Sequence, residues 1–549
     1  MSSKPNSTRT GLFPVWAYLL IILLLALFLR LAGTWRTEFI DYHPDEWVIA
    51  RPAMSLANNG RVWLKEHYKW PACSVIYPLG YSLYALKGLF GPYSYDGILI
   101  IQRVISAIAS TAAVFIAFLL TKKMFSTKTA LFAVTLLAVA ALPVTQGHYG
   151  TVTSIVSLVI VSVMLLSYDL FDIGQSQNTK LKTGKCCLLG LICGWGIAAK
   201  WTILLAAIPI SGALVLSIWF QKRIGKWTEF TKINAKRIGI ISGIAVISFL
   251  AGIPDFQFLP EKVISGFTYE MKHNKIGHYG GFTSEDRALS RKMLFTGKLL
   301  SEGGSIYMLI AGIIAAVFCL CRPSRPRIFL LWTILPWLTI LIRNVVTAGR
   351  HHLVPFIVML LLIAAALEAG TGNRRRWLRA ACWITFAFLT VSGTLYTCIC
   401  ISPFWKPNAR VQCTKWIKAN IPTGSGIAGA QGYTVPSALR SIYPHKAEPG
   451  KDQYIIALKG MMDLFKKHPP HRKIIPSEWF PSEPPTMIVL LLYAEMNAGG
   501  GPNLSLVKEF YTKPSFLGLD LSLFGQPINR ETSLANRTVT LFRFKGLSK

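Results

Sequence analysis

Acidic residues are scarce in this sequence, where 25 Asp and Glu stand against 58 Lys and Arg. Charged residues of both signs make up only 15% of the 549 residues, whereas 52% are hydrophobic. So small a charged fraction excludes an ordinary soluble protein. The net charge of +33 would fit a nucleic-acid partner, but its placement in short loops between apolar runs argues against one.

Long apolar runs recur through the first 400 residues, each near the length that crosses about 30 Å of hydrocarbon. We predict eleven spans at 12–33, 97–121, 129–144, 151–170, 186–199, 202–220, 238–253, 304–321, 328–342, 353–369 and 380–400. Alternate connections are short and basic, which places them and the N-terminus in the cytoplasm. The loops 34–96 and 254–303 and the segment 401–549 then face outward, and they contain 21 of the 25 acidic residues.

Several further motifs are missing. No carboxylate lies at mid-membrane, where ion-coupled transporters usually need one, and this argues against transport. The first span lacks a small-residue cleavage site, so we predict a retained signal anchor. The ten Cys form no CxxC pattern, and we expect free thiols at Cys73 and Cys413 rather than a bridge. GSGIAG (424–429) follows a predicted helix, so we interpret it as a turn before a strand and not as a dinucleotide site.

The chain divides into a membrane domain (1–400) and a small outer α/β domain (401–549). In the second, ARVQCTKWIKANIP and GMMDLFKKH are typical of helices, and QYIIALK, PTMIVLLLY and RTVTLFRFKG of strands. In the first outer loop, EWVIARPAMSLANNG has the spacing of an amphipathic helix at the membrane surface. The following WPACSVIYPLGYSLYALKGLFG is broken by Pro and Gly, and we expect it to dip back into the interface.

The densest acidic cluster is DYHPDEW, which directly follows the first span. It holds Asp41, His43, Asp45 and Glu46. A carboxylate at the edge of an apolar cavity suits a general base for a hydroxyl or amine. The ordinary alternatives are a solvated loop or a helix N-cap, because Pro44 fits the first helical position.

Cations lie at outer ends of spans, against the positive-inside trend. Arg30, Arg103 and Lys200 lie there, and RNVVTAGRHHLVP crowds Arg343, Arg350, His351 and His352 into one short loop. Charges at such depth are costly unless they line a wet cavity or meet an anion such as a lipid phosphate. Snorkelling towards headgroups is sufficient to explain Arg30 and is the ordinary alternative for Arg103 as well.

Histidines supply weaker candidates for binding substrate. His148 lies at an outer turn, and IGHYGGF adds His278 to the second outer loop. A metal held by His43, His273 and His278 with Asp45 is a minority interpretation, because no HExxH-type spacing supports it. A divalent metal therefore stays open as a cofactor, and no other cofactor is indicated.

These pieces, in order, resemble the C-type (GT-C) superfamily of membrane glycosyltransferases, in particular bacterial relatives of protein O-mannosyltransferases and of the lipid A aminoarabinose transferase. The pieces are HPDE, YPLGYSLYAL (77–86), QRVISAIASTAAVFIAFLL, QGHYGTVTSIVSLVIV (146–161), GWGIAAKWTILLAAIP (194–209) and AGRHHLVPF. The sequence departs from the commoner SHFATVD pattern of these proteins, because GHYGTVT has Thr153 in place of its carboxylate. Protein acceptors are put in doubt by the absence of the repeat modules of eukaryotic mannosyltransferases.

The resemblance implies an inverting transferase in the bacterial inner membrane, with its C-terminal domain in the periplasm or outside the cell. It would move a sugar from a polyprenyl-phosphate donor, embedded among membrane lipids, to a lipid, glycan or protein acceptor. It assigns the base to Asp45, acceptor orientation to Glu46, and the donor phosphate to Arg103, Lys200 and Arg350. His43, His148, His278 and His351 are candidate substrate-binding residues.

Three alternatives stay open. A flippase or transporter of a lipid-linked sugar would use the same cations without a base. A metal-dependent oligosaccharyltransferase-like enzyme would transfer a preassembled glycan. A non-catalytic scaffold would bind a partner through its outer domain.

Overall fold

The computed structural model describes residues 14–36, 43, 45–60, 72–171, 182–223, 227–276, 288–344, 348–406, 409–429, 439, 442–443, 451–458, 501, 504–524 and 539–544. Within these ranges it describes only the backbone at 220–223, 227–230, 273–276, 428–429 and 458.

The described part of the chain contains seventeen α-helices and six strands. The helices are α1 (Val15–Leu31), α2 (Glu46–Asn59), α3 (Cys73–Phe90), α4 (Tyr95–Met124), α5 (Thr127–Ala138), α6 (Ala141–His148), α7 (Thr153–Leu170), α8 (Thr183–Ala199), α9 (Ala207–Arg223), α10 (Trp227–Gly252), α11 (Pro260–Ile276), α12 (Leu289–Gly304), α13 (Ile306–Cys321), α14 (Arg325–Arg343), α15 (Leu353–Thr371), α16 (Arg376–Trp405) and α17 (Ala409–Asn420). The strands are β1 (Gly426–Gly429), β2 (Gln453–Leu458), β3 (Leu504–Phe510), β4 (Ser515–Phe516), β5 (Leu519–Asp520) and β6 (Val539–Phe544).

Among the described residues, seven helices are long and apolar enough to cross a membrane, or nine if each of two bent helix pairs is one span. The pairs are α5 with α6, bent by 55°, and α12 with α13, bent by 114°. The shorter apolar helices α1 and α8 coincide with the two remaining predicted spans. The predicted fold class is therefore confirmed, and the chain is an integral membrane protein.

Arg30 does not snorkel, and that expectation is wrong. Its side chain is fully buried and points into the bundle. The guanidinium donates to Ser110 Oγ at 2.7 Å and to the carbonyl oxygens of Leu137 and Ala138 at 3.3 and 3.2 Å. These carbonyls lie where α5 ends and the chain bends into α6, so they have lost their helical partners. Arg30 thus supplies hydrogen bonds to carbonyl oxygens at the bend between α5 and α6.

The described part of the predicted loop 34–96 forms two packed helices. The predicted amphipathic helix is α2, which packs against α3 and α4 and ends at Gly60 with φ +65°. The following segment is the continuous helix α3, whose residues Tyr81, Leu89 and Phe90 are exposed. The amide of Ala72, just before α3, donates to Ala199 O at 3.0 Å and ties this helix to the end of α8.

The C-terminal segment contains a four-stranded sheet in the order β1-β2-β6-β3. Strands β1 and β2 are parallel, and β6 is antiparallel to both of its neighbours. The predicted helix α17 and the predicted strands QYIIALK (β2) and RTVTLFRFKG (β6) are confirmed. The segment GSGIAG contains β1 itself, after helix α17. The predicted elements PTMIVLLLY and GMMDLFKKH lie outside the described residues.

The short strand β4 of the C-terminal segment packs against α16, the last apolar helix. Helix α16 runs to Trp405, five residues beyond the predicted boundary at 400. The amide of Ser515 in β4 donates to Ser402 Oγ at 3.0 Å, and Lys406 Nζ donates to Ser515 O at 3.0 Å. Phe516 packs edge-on against Trp405 at 6.0 Å between ring centroids. The end of α16 is thereby fixed to the C-terminal segment.

Candidate active site

Asp45 stands at the N-cap position of α2 but makes no side-chain capping bond there. Its carboxylate Oδ2 lies 3.9 Å from Arg350 Nη2, and about a third of its side chain is exposed. The ordinary alternative of a helix cap is therefore excluded. The structure brings an accessible acid and a cation from distant parts of the sequence to one place, as the transfer hypothesis needs.

His43 is completely buried beside Asp45. The backbone amide of Asp45 donates to His43 Nδ1 at 3.0 Å, so this nitrogen is an acceptor and the ring proton lies on Nε2. The carboxylate of Asp45 lies 3.6 Å from the same Nδ1. The ring of His43 also packs against Tyr149, with 5.1 Å between centroids. His43 therefore fixes the backbone at Asp45 rather than lining the surface.

Glu46 and Arg103 form a fully buried ion pair. Arg103 Nε and Nη2 donate to the two carboxylate oxygens at 2.9 and 2.7 Å. The amides of Gly150 and His43 add hydrogen bonds to the carboxylate at 2.7 and 3.3 Å. Burial alone would raise the pKa of Glu46, but the charge and hydrogen bonds of Arg103 and the two amides lower it below its ordinary value.

This pair changes the interpretation of both residues. Arg103 donates to Glu46 and to the carbonyl oxygen of Arg36, the latter at 3.2 Å, and its side chain is fully buried. A lipid phosphate at the surface would not reach it. Glu46 is likewise enclosed and would not touch an acceptor substrate. We propose that Glu46 and Arg103 position the start of α2, and that other cations bind the donor phosphate.

Gln102 and Gly150 complete this support, and the sequence analysis did not single them out. Gln102 Nε2 donates to Gly150 O and, at 3.4 Å, to Glu46 O. A Cβ at Gly150 would come within 3.0 Å of the Gln102 side chain, so the close approach needs glycine. Nothing in a single sequence distinguishes this glycine from its neighbours.

His148 is also a buried structural residue. Its ring nitrogens lie 2.9 Å from the carbonyl oxygens of Val144 and Ala32, and the ring stacks on Phe404 at 4.4 Å. The indole of Trp405 donates to Ala32 O at 3.1 Å. His148 thus joins the ends of α1, α6 and α16 and does not open towards Asp45.

Arg350 and His351 lie in a short 3-10 turn, Gly349–His352, that precedes α15. Both side chains are partly exposed. Lys200 follows α8 and is half-buried. Its neighbour Ala199 packs in one apolar cluster with Ile49, which lies one helical turn after Asp45. Ala199, at the end of α8, thus shares an apolar cluster with the first turn of α2, and Arg350 of the 349–352 turn approaches Asp45.

No group of three or more His, Cys, Asp or Glu side chains able to hold a metal occurs among the described residues. His278 lies outside the described residues, and the side chain of His273 is not described either. Cys73 and Cys413 are buried free thiols.

The fold and the site thus define a polytopic membrane protein that presents an accessible acid and a cation at one end of its helix bundle. A sequence model of the family "Dolichyl-phosphate-mannose-protein mannosyltransferase" matches residues 90–260. Comparison with curated protein sequences gives no match.

Among solved structures, ArnT from Cupriavidus metallidurans in the apo state has a TM-score of 0.51 at 12% identity, covering 84% of this chain and 95% of that one. The same protein bound to undecaprenyl phosphate has a TM-score of 0.49 at 12% identity, with the same coverage. An apo oligosaccharyltransferase from Archaeoglobus fulgidus has a TM-score of 0.45 at 12% identity, covering 83% and 70%. The predicted resemblance is confirmed at the level of the fold, which this chain shares with ArnT.

Proposed function

We propose that this protein is an inverting glycosyltransferase that moves a sugar from a polyprenyl-phosphate carrier to an acceptor at the outer face of the membrane, with Asp45 as the general base. The observation that carries the proposal is the approach of Asp45 Oδ2 to Arg350 Nη2 at 3.9 Å, with both side chains partly exposed. ArnT, whose fold this chain shares, has been crystallised with undecaprenyl phosphate. The presence of this lipid in a protein of the same fold supports the carrier class for this chain.

The mechanism needs one base and at least one cation. The acceptor hydroxyl attacks the anomeric carbon while Asp45 takes its proton, and the bond from that carbon to the phosphate oxygen breaks. The phosphate leaves with the bonding electrons, and Arg350, with Lys200 beside α2, stabilises the charge that gathers on it. Attack from the face opposite the departing phosphate inverts the anomeric centre.

The buried Glu46–Arg103 pair supports this chemistry indirectly, by holding the backbone next to Asp45 in place. Glu46 directly follows Asp45, so a carboxylate held by four hydrogen bonds fixes the backbone that carries the base. A base contributes to catalysis only if it is held in reach of the proton it removes.

The outward direction of this site is part of the proposal. It is supported by the basic connections at the opposite helix ends, such as Lys122 and Lys123 at the end of α4. A bacterial inner membrane and a periplasmic C-terminal domain follow from that orientation and from the carrier class.

Asp45→Asn tests the proposal directly. We expect transfer from a radiolabelled polyprenyl-phosphate sugar to membrane acceptors to fall by about 10²–10⁴-fold, since general base catalysis is typically of that size. Donor binding and the stability of the protein should change little, because the amide keeps the shape of the side chain. Asp41→Asn, in the same DYHPDEW segment, is the matched control and should retain activity. Turnover by Asp45→Asn close to that of the unmodified protein would remove Asp45 from this role.

A further inference from the structure

Lysines gather around one carboxylate at the end of the bundle opposite Asp45. Asp169, in the last turn of α7, forms an ion pair with Lys123 through one carboxylate oxygen and with Lys185 through the other. Lys123 follows Arg103 by twenty residues along the continuous helix α4, which is about 30 Å of helix. That length is about the thickness of the hydrocarbon core, so this cluster lies near the other surface of the membrane.

Lys182 joins the cluster from the residue before α8. The amide of Lys185 donates to Lys182 O at 3.0 Å, so the two lysines lie side by side at the start of that helix. Burial lowers the pKa of Lys182, and the attraction of Asp169 opposes that shift. Repulsion from Lys185, Arg237 and Lys123 lowers the same pKa further. The cations therefore share one electrostatic environment, in which Asp169 balances only part of their charge.

Two arginines of this region have a structural role. Arg237 Nη1 donates to Leu170 O at 3.2 Å, and Arg325 Nη2 donates to Phe171 O at 2.7 Å. Carbonyl groups at the end of a helix lack intrahelical partners, and the helix dipole favours cations there. The end of α7 thus explains both arginines, which add positive charge behind the lysines without contacting a ligand.

The lysines, in contrast, are accessible. The side chain of Lys123 is 27% exposed and that of Lys185 is 45% exposed. The first turn of α8, which is described completely, has no acidic residue and no side-chain cap. A Cβ at Gly184 in this turn would meet nothing within 4 Å. An anion placed there is stabilised by the ammonium groups and by the positive end of the helix dipole.

The chain connections at this end carry a large excess of positive charge. They contain fifteen Lys and Arg but only three Asp and Glu, counted over 122–128, 169–185, 222–237 and 322–327. The acids of these connections are too few to neutralise the cations. Lipid phosphates lie at the same depth as the ends of membrane-spanning helices, and an anionic lipid surface attracts clustered lysines.

We propose that Lys123, Lys182 and Lys185 bind the phosphate of one anionic phospholipid molecule in the leaflet opposite the candidate active site. Helix α7 packs against both α4 and α8, which brings the three lysines to one place at its end. Basic pockets between membrane-spanning helices are suited to such head groups. The orientation proposed above makes this the cytoplasmic leaflet. Binding there does not depend on sugar transfer at Asp45.

The test titrates the purified full-length protein in detergent micelles and counts bound molecules by native mass spectrometry. The ligands are phosphatidylglycerol (anionic), phosphatidylcholine (zwitterionic) and glycerophosphoglycerol, which is the head group of the first lipid without its acyl chains. We expect one phosphatidylglycerol molecule to bind at least tenfold more tightly than phosphatidylcholine. The soluble head group should bind at least tenfold more weakly than the lipid, because it lacks the chains that stay in the leaflet.

Variants locate the site. Lys182→Gln combined with Lys185→Gln should raise the Kd of phosphatidylglycerol at least tenfold, since each lysine near an anionic lipid contributes about fivefold in affinity. Lys122→Gln is the matched control. It removes the same charge at the same end of α4, but Lys122 Nζ lies 5.7 Å from the centroid of the Trp16 ring. Its Kd should stay within twofold of that of the unmodified protein.

Two single variants keep the test decisive if the double variant does not fold. Lys182→Gln leaves both ion pairs of Asp169 in place and should raise the Kd of phosphatidylglycerol three- to tenfold. Lys182→Arg keeps the charge and should stay within threefold.

Equal binding of the two lipids, or an unchanged Kd in Lys182→Gln, would overturn the assignment. Binding of glycerophosphoglycerol as tightly as the lipid would also overturn it, because the site would then serve a soluble anion. Sugar transfer is measured separately, so each of these results would leave the proposed function standing.

Discussion

Glu46→Gln is the substitution whose effect on the free energy of unfolding can best be worked out from the structure. The carboxylate receives two hydrogen bonds from Arg103 and one each from the amides of Gly150 and His43. Glutamine keeps the shape but offers one acceptor oxygen, so at least one N–H donor of Arg103 loses its partner. The guanidinium then loses the counter-charge of Glu46 in a fully buried place. Breaking such a pair from one side costs about 3–5 kcal/mol.

The free energy of unfolding in mixed micelles, followed by denaturant titration, measures this loss. Transfer activity should fall at least tenfold in the same variant, because the start of α2 carries Asp45. The double variant Glu46→Gln with Arg103→Met removes the unpaired charge, so it should be less destabilised than the sum of the two single changes. Glu509→Gln, an exposed residue of β3, is the control and should change stability by about 0.5 kcal/mol or less.

A loss below about 1 kcal/mol for Glu46→Gln, with normal activity, would refute this reasoning. It would show that Glu46 and Arg103 are solvated in the membrane-bound protein and do not hold the base. Strict additivity in the double variant would likewise contradict a direct pair.

Three further outcomes are expected. The depressed pKa of Glu46 contributes stability that is present above the ordinary pKa of Glu, about 4.3, and is lost as the pH falls below it. A pH series of unfolding measurements should show this loss of stability at acid pH in the unmodified protein and not in Glu46→Gln. Arg30→Met should lower the free energy of unfolding by about 2–4 kcal/mol in the same assay, because carbonyl oxygens at the α5–α6 bend lose a charged donor. An unchanged free energy of unfolding would contradict that role of Arg30. Gly33→Ala should lower stability by about 1–3 kcal/mol and should also lower activity, because Gly33 has φ +89° and a Cβ would meet Phe404 O at 2.5 Å. Gly184→Ala is the control, because a Cβ there meets nothing within 4 Å, and equal effects of the two substitutions would refute the argument.

Much of the architecture could be predicted because bilayer thickness constrains helix length. Each predicted span coincides with an apolar helix or bent pair, since the span signal depends only on local composition. The bends themselves were not predicted. At the α5–α6 bend, Arg30 reaches across from α1 to the carbonyl oxygens at the end of α5, and no local sequence pattern indicates such a contact.

The candidate site was predictable in its components but not in their pairing. The sequence indicated Asp45 and Arg350 because charges are rare at the ends of apolar runs, and the structure brings these two together. It also grouped Arg103 with the phosphate-binding cations, whereas Arg103 meets Glu46 inside the bundle.

The sequence by itself determined that this chain is a polytopic membrane protein with acids gathered in particular loops, because hydrophobicity and charge act locally along the chain. Only the tertiary structure decided which charges meet. Whether a cation such as Arg103 or Arg350 is enclosed by an acid or left accessible to a ligand depends on contacts between helices far apart in sequence. In a buried setting, that difference separates a structural ion pair from a binding group.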